Sequence, residues 1–245
     1  MSALADHAAI DRLWPDPAEQ LSDDDLLAGI DHEGFRVNFV SSIDGAGARD
    51  GRSGGLSGAA DQRFFELLRR VSDVVLVGAG TVRDEGYSDL RVSEASVAWR
   101  LAHGRSEHPV FAIVTRSLEL DPASTIFAKA PVRPVIITAQ QAEGRARFEA
   151  VADVVVAGDA HVNVGLAVEA LRERGLRRIL CEGGPSLFGS ALAEDAVDEL
   201  CLTIEPSLDA GAAPRIARGE TPPRDMQLAS VLRSGSVLLL RYVRG

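Results

Sequence analysis

The sequence predicts an α/β protein with a mostly parallel central sheet, antiparallel strands at its C-terminal end and helices on both faces of the sheet. Three observations predict this class. Short apolar runs without polar interruption, such as residues 74–77, are typical of strands buried on both faces of a parallel sheet. Segments with helical periodicity separate several of these runs. After residue 198, three strand-like segments follow one another without a helix, which favours antiparallel pairing.

The predicted elements fall into two parts of the chain. Residues 1–33 form an N-terminal arm, in which Ser22 and the acidic residues 23–25 are typical of a helix start. Residues 34–245 form the main domain. Its strands are predicted at 35–43, 73–78, 110–114, 134–137, 154–156, 178–181, 199–204, 228–232 and 237–243. Its helices are predicted at 59–72, 97–101, 164–174 and 185–193, and a turn at 234–236 joins the last two strands.

Composition and charge restrict the possible classes of function. The chain of 245 residues carries a formal net charge of -10 and no basic run, which argues against nucleic acid or an anionic membrane as a partner. Cys181 and Cys201 lie in apolar runs and form no C-x-x-C pair, so we expect buried thiols and no metal site. The first 25 residues lack the pattern of a signal peptide, and no apolar run reaches the ~20 residues that cross a bilayer. These features predict a cytoplasmic protein.

The segment 180–189 is the most informative motif. A predicted strand runs into Glu182, two glycines and Pro185. Glycines let a backbone approach a ligand closely, and proline suits the first turn of a helix. The free N–H groups at such a helix start bind phosphate. The segment therefore predicts a phosphate site, although an ordinary strand-to-helix turn uses the same residue types.

Two other strand ends carry related signals. Gly78 and Gly80 form a G-x-G turn, but Arg83 replaces the third glycine of the dinucleotide fingerprint. Thr115 and Arg116 end another strand, where a hydroxyl and a guanidinium suit a ribose 2′-phosphate and would select NADPH over NADH. Arg116 also fits a solvated loop. Glycine turns at two strand ends favour a dinucleotide, because its pyrophosphate needs contacts from more than one of them.

A serine-hydrolase motif is present but lies in the wrong context. Residues 51–55 match the G-x-S-x-G pattern of a nucleophile elbow, with Ser53 at its centre. That elbow requires a sharp turn from a strand through the serine into a helix. Here the strand ends near Asp44 and the next helix begins only after Ser57. The sequence therefore disfavours a hydrolase.

A set of segments resembles one known family. In order they are F-V-S-S-I-D-G at 39–45, L-L-R at 67–69, D-V-V-L-V-G-A-G-T-V-R at 73–83, L-R at 90–91, C-E-G-G-P-S-L-F at 181–188 and D-E-L-C-L-T-I-E-P at 198–206. Together they resemble the reductase domain of the bifunctional riboflavin-biosynthesis deaminase–reductase, and most closely its stand-alone actinobacterial pyrimidine-reductase relatives. The H-x-E and P-C-x-x-C signature of the zinc deaminases is absent from the sequence.

The resemblance implies a dihydrofolate-reductase-like fold, NADPH as hydride donor and a homodimer. It implies reduction of the ribosyl group of 5-amino-6-(5-phosphoribosylamino)uracil; the sequence leaves open dihydrofolate or pterin reduction and a catalytically silent NADPH-binding module. The implied cofactor-binding residues are Val40, Ser41, Gly80, Thr81, Glu85, Thr115, Arg116, Gly183, Gly184, Pro185, Ser186, Leu187 and Phe188. The implied substrate-binding residues are Ser53, Arg69, Arg91 and Glu182.

Two acidic residues are candidates for the catalytic contact. Asp61 lies near the start of the first helix of the domain, and dihydrofolate reductase holds its substrate through an acid on the equivalent helix. Asp44, in the S-I-D-G segment, is the second candidate. Each also fits a structural role, Asp61 as a first-turn acid facing the helix dipole and Asp44 as part of an Asp-Gly turn.

Overall fold

The protein, seen in a computed structural model that describes residues 8–220 and 222–245, is built around one mixed sheet. The strands are β1 Asp11–Trp14, β2 Gly34–Ser42, β3 Val74–Gly78, β4 Val110–Val114, β5 Val135–Thr138, β6 Asp153–Val156, β7 Arg178–Cys181, β8 Glu199–Glu205, β9 Gln227–Ser234 and β10 Val237–Val243. The helices are α1 Asp23–Ala28, α2 Ala59–Val71, α3 Ala79–Asp84, α4 Glu94–Ala102, α5 Thr125–Ala128, α6 Val164–Glu173 and α7 Pro185–Ala193, with short 3₁₀ helices at Ser53–Gly55 and Arg145–Phe148.

The strand order confirms the predicted sheet. Across the sheet it is β1-β9-β10-β8-β2-β7-β3-β4-β5-β6. Pairing is parallel from β8 to β6 and antiparallel among β8, β10, β9 and β1. Because β7 lies between β2 and β3, the carboxyl ends of three segments that are far apart in sequence meet at one edge. Ligands of open α/β sheets bind at such an edge.

Alternating side chains of the parallel strands form two apolar cores, one on each face. On β3, Val75 and Val77 belong to the core beneath α2, whereas Val74 and Leu76 belong to the core beneath α6 and α7. All four side chains are fully buried. Full burial of one such side chain stabilises the fold by about 1.5–3 kcal/mol. The continuous apolar run that predicted this strand therefore reflects helices on both faces.

The N-terminal arm packs against the main domain, although the sequence indicates a separate part of the chain. Strand β1, which was not predicted, pairs with β9 at the edge of the sheet. Ile10 and Ile30 are buried in the core beneath α2. The predicted helix start is present, since Ser22 and Asp25 form a reciprocal capping box at the start of α1. The described part of the arm thus covers one end of the core.

The other differences from the predicted elements are small. Helix α4 extends beyond the expected 97–101 at both ends, and neither α3, which begins within the predicted G-x-G turn, nor α5 was predicted. A four-residue helix carries too few periodic positions to be read from the sequence. No helix in the described chain is both long enough and apolar enough to cross a bilayer.

Candidate active site

A cleft of about 560 Å³ opens at the carboxyl ends of β2, β3 and β7. Residues of β2 and α2 line it together with residues from the starts of α3 and α7. Eleven of the predicted site residues line it: Val40, Ser53, Asp61, Gly80, Thr81, Glu85, Glu182, Gly184, Pro185, Ser186 and Leu187. The structure therefore brings predicted cofactor and substrate residues from distant segments into one cavity.

The glycine turns form a narrow cradle at the centre of this cleft. A Cβ atom on Gly184 would lie 2.4 Å from the Thr81 hydroxyl oxygen, and one on Gly183 would lie 2.9 Å from the Phe39 ring. Gly183 also has a φ of 89°, in the left-handed region that favours glycine. The peptide bond between the two glycines is cis. No larger residue fits here without displacing a neighbour, so backbone rather than side chains faces the cleft.

Helix α7 begins at this cradle with Pro185 in its first turn. Its N-cap residue, Gly184, supplies no side chain to accept from the first amide groups of the helix. Uncapped amides at a helix start suit an anionic group. This arrangement agrees with the phosphate site that the segment 180–189 predicts.

A second cavity of about 380 Å³ adjoins the cleft and shares Gly78, Gly80, Ser186 and Leu187 with it. Thr115 and Arg116 line this second cavity, as the prediction of a 2′-phosphate site requires. The Thr115 hydroxyl accepts a hydrogen bond from the Leu118 amide at 3.0 Å. The two cavities therefore meet beside the glycine cradle.

The carboxylate of Asp61 lies on the cleft wall contributed by α2. Asp61 is 7% exposed, and its Oδ2 accepts a hydrogen bond from the Ser57 hydroxyl at 2.5 Å. Burial raises the pKa of Asp61, against the lowering effect of hydrogen bonds from Ser57 and Thr203. A buried carboxylate on a cavity wall is costly when it is ionised, and donors on a ligand would offset that cost.

Glu182 forms a second buried polar group in the cleft. Arg69 donates to both of its carboxylate oxygens, from Nε at 2.6 Å and from Nη2 at 2.7 Å. The Tyr87 hydroxyl donates to Oε2 at 2.7 Å. Burial, and then the charge of Glu182, raise the pKa of Tyr87 well above its ordinary value, so the phenol stays neutral. Arg69 therefore neutralises Glu182 and does not line the cleft as a free cation.

Asp44 does not lie on the cleft wall. Its carboxylate accepts from the Ser42 hydroxyl at 2.5 Å and from the amides of Asp209 and Ala210. These hydrogen bonds lower the pKa of Asp44 to about 2. This geometry is that of an acid that ties two loops together, so the structure favours the turn interpretation of Asp44 over a catalytic contact.

Four other predicted residues also lie off the cleft wall. Arg91 pairs with Asp89 at 2.6 Å and donates to a backbone carbonyl, so its guanidinium does not face the cavity. The Ser41 hydroxyl donates to the adjacent backbone carbonyl. The Phe188 ring stacks on Phe39 with 5.3 Å between centroids and is part of the core beneath α7. The fourth, Gly183, does not line the cleft itself but forms the narrow cradle together with Gly184.

The structure also adds residues that the sequence analysis missed. Tyr87 lines the cleft, and Arg218 is the one arginine among the lining residues. The loop that carries Arg218 packs on α7, where a Cβ on Gly189 would lie 1.7 Å from the Arg218 carbonyl oxygen. A glycine inside a helix is the sequence signal for such a close approach. Nothing in the sequence links Gly189 to a loop 29 residues later.

The loop 51–55, which contains the G-x-S-x-G pattern, forms part of the rim. The Ser53 amide donates to Glu85 Oε1 at 2.8 Å, which ties the rim to the end of α3. Ser53 begins a 3₁₀ helix that is separate from both β2 and α2. The strand–serine–helix turn of a hydrolase is therefore absent at Ser53.

Comparisons with known proteins identify the family of the chain. The family model described as RibD C-terminal domain matches residues 35–240. A 2,5-diamino-6-ribosylamino-4(3H)-pyrimidinone 5′-phosphate reductase of Archaeoglobus fulgidus is 28% identical over 213 residues, which are 81% of this chain and 92% of that protein. The protein of the same name from Methanothermobacter thermautotrophicus is 30% identical over 176 residues, 71% of this chain and 78% of its own.

A comparison with solved structures leads to the same family. The crystal structure of a pyrimidine reductase-like protein from Corynebacterium diphtheriae superimposes with a TM-score of 0.77 at 27% identity, covering 89% of this chain and 94% of that one. This likeness confirms the predicted dihydrofolate-reductase-like fold and the resemblance on which that prediction rests. The chain belongs to the RibD C-terminal domain family.

Proposed function

We propose that this protein is an NADPH-dependent reductase of riboflavin biosynthesis that converts the ribosyl group of a 6-ribosylamino-pyrimidine 5′-phosphate to ribityl. The observation that supports this most directly is a single cleft lined both by Gly184 of the glycine cradle and by the buried Asp61. The relatives are named as reductases of such a pyrimidine. Their names favour this activity over dihydrofolate reduction and over a silent NADPH-binding module.

The residues present fit NADPH. The cradle of Gly183 and Gly184 leaves room for a pyrophosphate against the uncapped start of α7. The second cavity, with Thr115 and Arg116, suits the adenosine end and its 2′-phosphate. Val40 also lines the cleft and suits the nicotinamide. When bound there, NADPH supplies the hydride.

Glu182 suits a contact with the sugar of the substrate. A carboxylate has about four acceptor positions, and Arg69 and Tyr87 occupy three of them. The remaining position can accept a hydrogen bond from a hydroxyl or amino group of the substrate. Arg69 therefore acts on the substrate through Glu182. Ser53 and Arg218 line the cleft and are the candidates for binding the 5′-phosphate of the substrate.

Asp61 favours one of two closely related pyrimidines. On the ring edge remote from the sugar, 2,5-diamino-6-ribosylamino-4(3H)-pyrimidinone carries two adjacent donors, N3–H and the 2-amino group. The uracil analogue carries N3–H beside a carbonyl oxygen. An ionised carboxylate only accepts, so both of its oxygens are satisfied by the diamino ring and one is repelled by the uracil ring. We infer that the diamino compound is the better substrate.

The direct test is NADPH oxidation with the two pyrimidine phosphates and with dihydrofolate, each offered separately under identical conditions. The proposal expects turnover of both pyrimidines, faster with the diamino compound, and none of dihydrofolate. Turnover of dihydrofolate alone would move the assignment to a pterin reductase. Tight NADPH binding without turnover of any of the three would support the silent module.

We also propose a homodimer that pairs through the C-terminal strands. One face of β8, β9 and β10 carries a patch of paired apolar residues that are partly or fully exposed, with Arg233 on the same face opposite Leu238. The patch contains Leu200, Leu202, Ile204, Leu228, Val231, Leu238, Leu240 and Tyr242. Contiguous apolar patches of this kind mark association surfaces, and two-fold dimers are the commonest closed assembly.

Analytical ultracentrifugation tests the dimer. Leu240 lies at the centre of the patch, between Leu202 on β8 and Val231 on β9. Leu240→Asp should convert the dimer to a monomer, because it places a charge in the middle of the buried surface. Leu166→Asp, at an exposed position on α6, is the matched control and should leave the assembly unchanged. Identical sedimentation of the three proteins as monomers would contradict the proposal.

A cytoplasmic location belongs to the same proposal. NADPH and phosphorylated pyrimidines are charged small molecules of the cell interior. Cys181 and Cys201 are free, buried thiols, as expected in a reducing compartment. Fractionation of cells that express the protein would test this location.

A further inference from the structure

Asn38 is a buried polar side chain of the cleft that the proposed function leaves unused. It lies in β2, lines the cleft and is 9% exposed. Among the residues that the structure describes, none forms a hydrogen bond with its carboxamide. The two other buried polar residues that line the cleft, Asp61 and Glu182, are both hydrogen-bonded within the protein. An unpaired amide in a protein interior is costly, so a ligand that pairs with Asn38 gains affinity.

The side chain of Asn38 belongs to the same face of the sheet as those of Glu182 and Asp61. Val37 and Cys181, the last pair of β2 with β7, lie in the core beneath α6 and α7. Side chains alternate between the two faces along a strand, so the residues that follow this pair, Asn38 and Glu182, point to the face covered by α2. Asp61 lies on α2 itself. The unpaired amide and the two proposed substrate contacts therefore share one face.

The order of the strands places Asn38 with respect to these two contacts. Strand β2 lies between β7 and β8. Strand β7 leads into Glu182, whereas β8 carries Thr203, which hydrogen-bonds Asp61. Glu182 is proposed to contact the sugar of the substrate, and Asp61 the ring edge remote from the sugar. Asn38 is therefore placed for the part of the substrate that joins them, which contains ring N1 and the nitrogen that carries the sugar.

The two candidate pyrimidines differ at this part of the ring. In 2,5-diamino-6-ribosylamino-4(3H)-pyrimidinone, N1 carries no hydrogen and accepts, while the adjacent 6-amino N–H donates. In the uracil analogue N1 carries a hydrogen, so both groups donate. A carboxamide offers one donor and one acceptor side by side, as when an asparagine pairs with N7 and the 6-amino group of adenine. The carboxamide of Asn38 therefore complements the diamino ring and opposes one donor of the uracil ring.

We propose that Asn38 pairs with N1 and the 6-amino group of the pyrimidine and so selects the diamino compound over the uracil compound. This inference rests on the proposed function. It assigns the selection to a second ring edge, in addition to the edge assigned to Asp61. The 4-carbonyl and 5-amino groups on the other side of the ring are the same in both compounds, so a contact there would not discriminate between them.

Calorimetric titration tests the pairing without turnover. Each of the two pyrimidine phosphates is titrated into the NADP⁺-saturated protein, as wild type and as Asn38→Asp. A carboxylate accepts at both positions, so it pairs with the two donors of the uracil ring and repels N1 of the diamino ring. The ratio of the two dissociation constants should shift toward the uracil compound by about 10-fold or more, the size of one two-bond contact to a base edge.

A second variant and a control isolate the amide. Asn38→Leu has a similar size and removes both hydrogen bonds, so affinity for the diamino compound should fall by about 10-fold and affinity for the uracil compound by less. This variant also keeps the test decisive if unfolding temperatures show that Asn38→Asp does not fold. Gln140→Glu makes the same change from amide to carboxylate at an exposed residue outside both cavities, and it should keep the wild-type ratio.

The outcomes separate this inference from the proposed function. An unchanged ratio in both Asn38 variants, or an equal loss of affinity for the two pyrimidines, would overturn the pairing while leaving the reductase assignment in place. Weaker binding of NADP⁺ with unchanged binding of the pyrimidines would overturn it too, because Asn38 would then contact the cofactor. Wild-type protein that binds neither pyrimidine in the presence of NADP⁺ would overturn the proposed function itself.

Discussion

Replacing Asp61 by asparagine is expected to change which pyrimidine the enzyme prefers. The side chain keeps its size and its place on the cleft wall, but one carboxylate oxygen becomes an amide donor. In the complex with the diamino pyrimidine, that amide group faces a hydrogen-bond donor of the ring and cannot accept from it. Against the uracil ring, it faces the 2-carbonyl oxygen and can donate to it. The substitution therefore acts on a single ring edge and in opposite directions for the two substrates.

The size of the change follows from the number of hydrogen bonds lost. A hydrogen bond to a charged group contributes about 1.5–3 kcal/mol, and Asp61→Asn removes one such bond from the diamino complex. This corresponds to a fall of about 10- to 150-fold in kcat/KM for that substrate. For the uracil analogue we expect no loss, or a gain. The KM for NADPH should stay unchanged, because Asp61 is proposed to contact the pyrimidine ring and not the cofactor.

Protein stability provides a control on the fold of this variant. Burial raises the pKa of Asp61, so ionising this group costs more in the native state than in the unfolded chain. The contribution of Asp61 to wild-type stability is therefore fully present below the ordinary aspartate pKa and is lost as pH rises through the raised pKa. An asparagine at position 61 does not titrate. As pH rises from acid to neutral, the unfolding temperature of Asp61→Asn should therefore rise relative to that of the wild-type protein.

The assay is the loss of reduced-nicotinamide absorbance, with each pyrimidine varied in turn and NADPH saturating. The preference for the diamino compound should fall or reverse in the variant. An equal loss of kcat/KM for both pyrimidines would refute the ring-edge argument, even if turnover fell strongly. A parallel rise in the KM for NADPH would refute it as well, because it would place Asp61 on the cofactor side.

Three further substitutions test the rest of the cleft. Arg116→Ala should raise the KM for NADPH and leave the KM for NADH unchanged. An unaltered ratio of these two KM values would show that Arg116 does not bind the cofactor. Gly184→Ala places a Cβ 2.4 Å from the Thr81 hydroxyl and should weaken NADPH binding, measured by nicotinamide fluorescence, by about 1–3 kcal/mol; full affinity would show that the cradle is not used. Tyr87→Phe removes the hydrogen bond to Glu182 and should raise the KM for the pyrimidine by about 5- to 10-fold, as expected for one hydrogen bond of about 1–1.5 kcal/mol, with that for NADPH unchanged. The reverse pattern would place Tyr87 on the cofactor.

The proposed cofactor half of the cleft is largely readable from the sequence because it is built from local backbone. Gly183, Gly184 and Pro185 adjoin one another, and their chemistry depends on a strand ending and a helix starting at that point. Thr81 follows the end of β3 by three residues, and Thr115 follows the end of β4 directly. Parallel strands bring such ends together without further information, so local motifs sufficed.

The substrate half depends on contacts that no local pattern contains. Asp61 is held by Ser57 and by Thr203, which is 142 residues away in sequence. Arg69 and Glu182 look like two independent substrate ligands in the sequence, yet they are 113 residues apart and bind each other. Such pairings depend on the three-dimensional arrangement of the elements.

The contrast between the two candidate acids shows what decides a functional role. Asp44 and Asp61 both follow β2 in the chain, and each fits either a catalytic or a structural role by residue type alone. In the fold, Asp44 accepts hydrogen bonds from a hydroxyl and two amides, which lower its pKa and satisfy its charge. Asp61 is buried with fewer donors, and its pKa is raised. An acid whose charge the protein satisfies incompletely, on the wall of a cavity, is the one that a donor-rich ligand can stabilise. That difference in hydrogen bonding, rather than position in the sequence, supports Asp61 as the substrate contact.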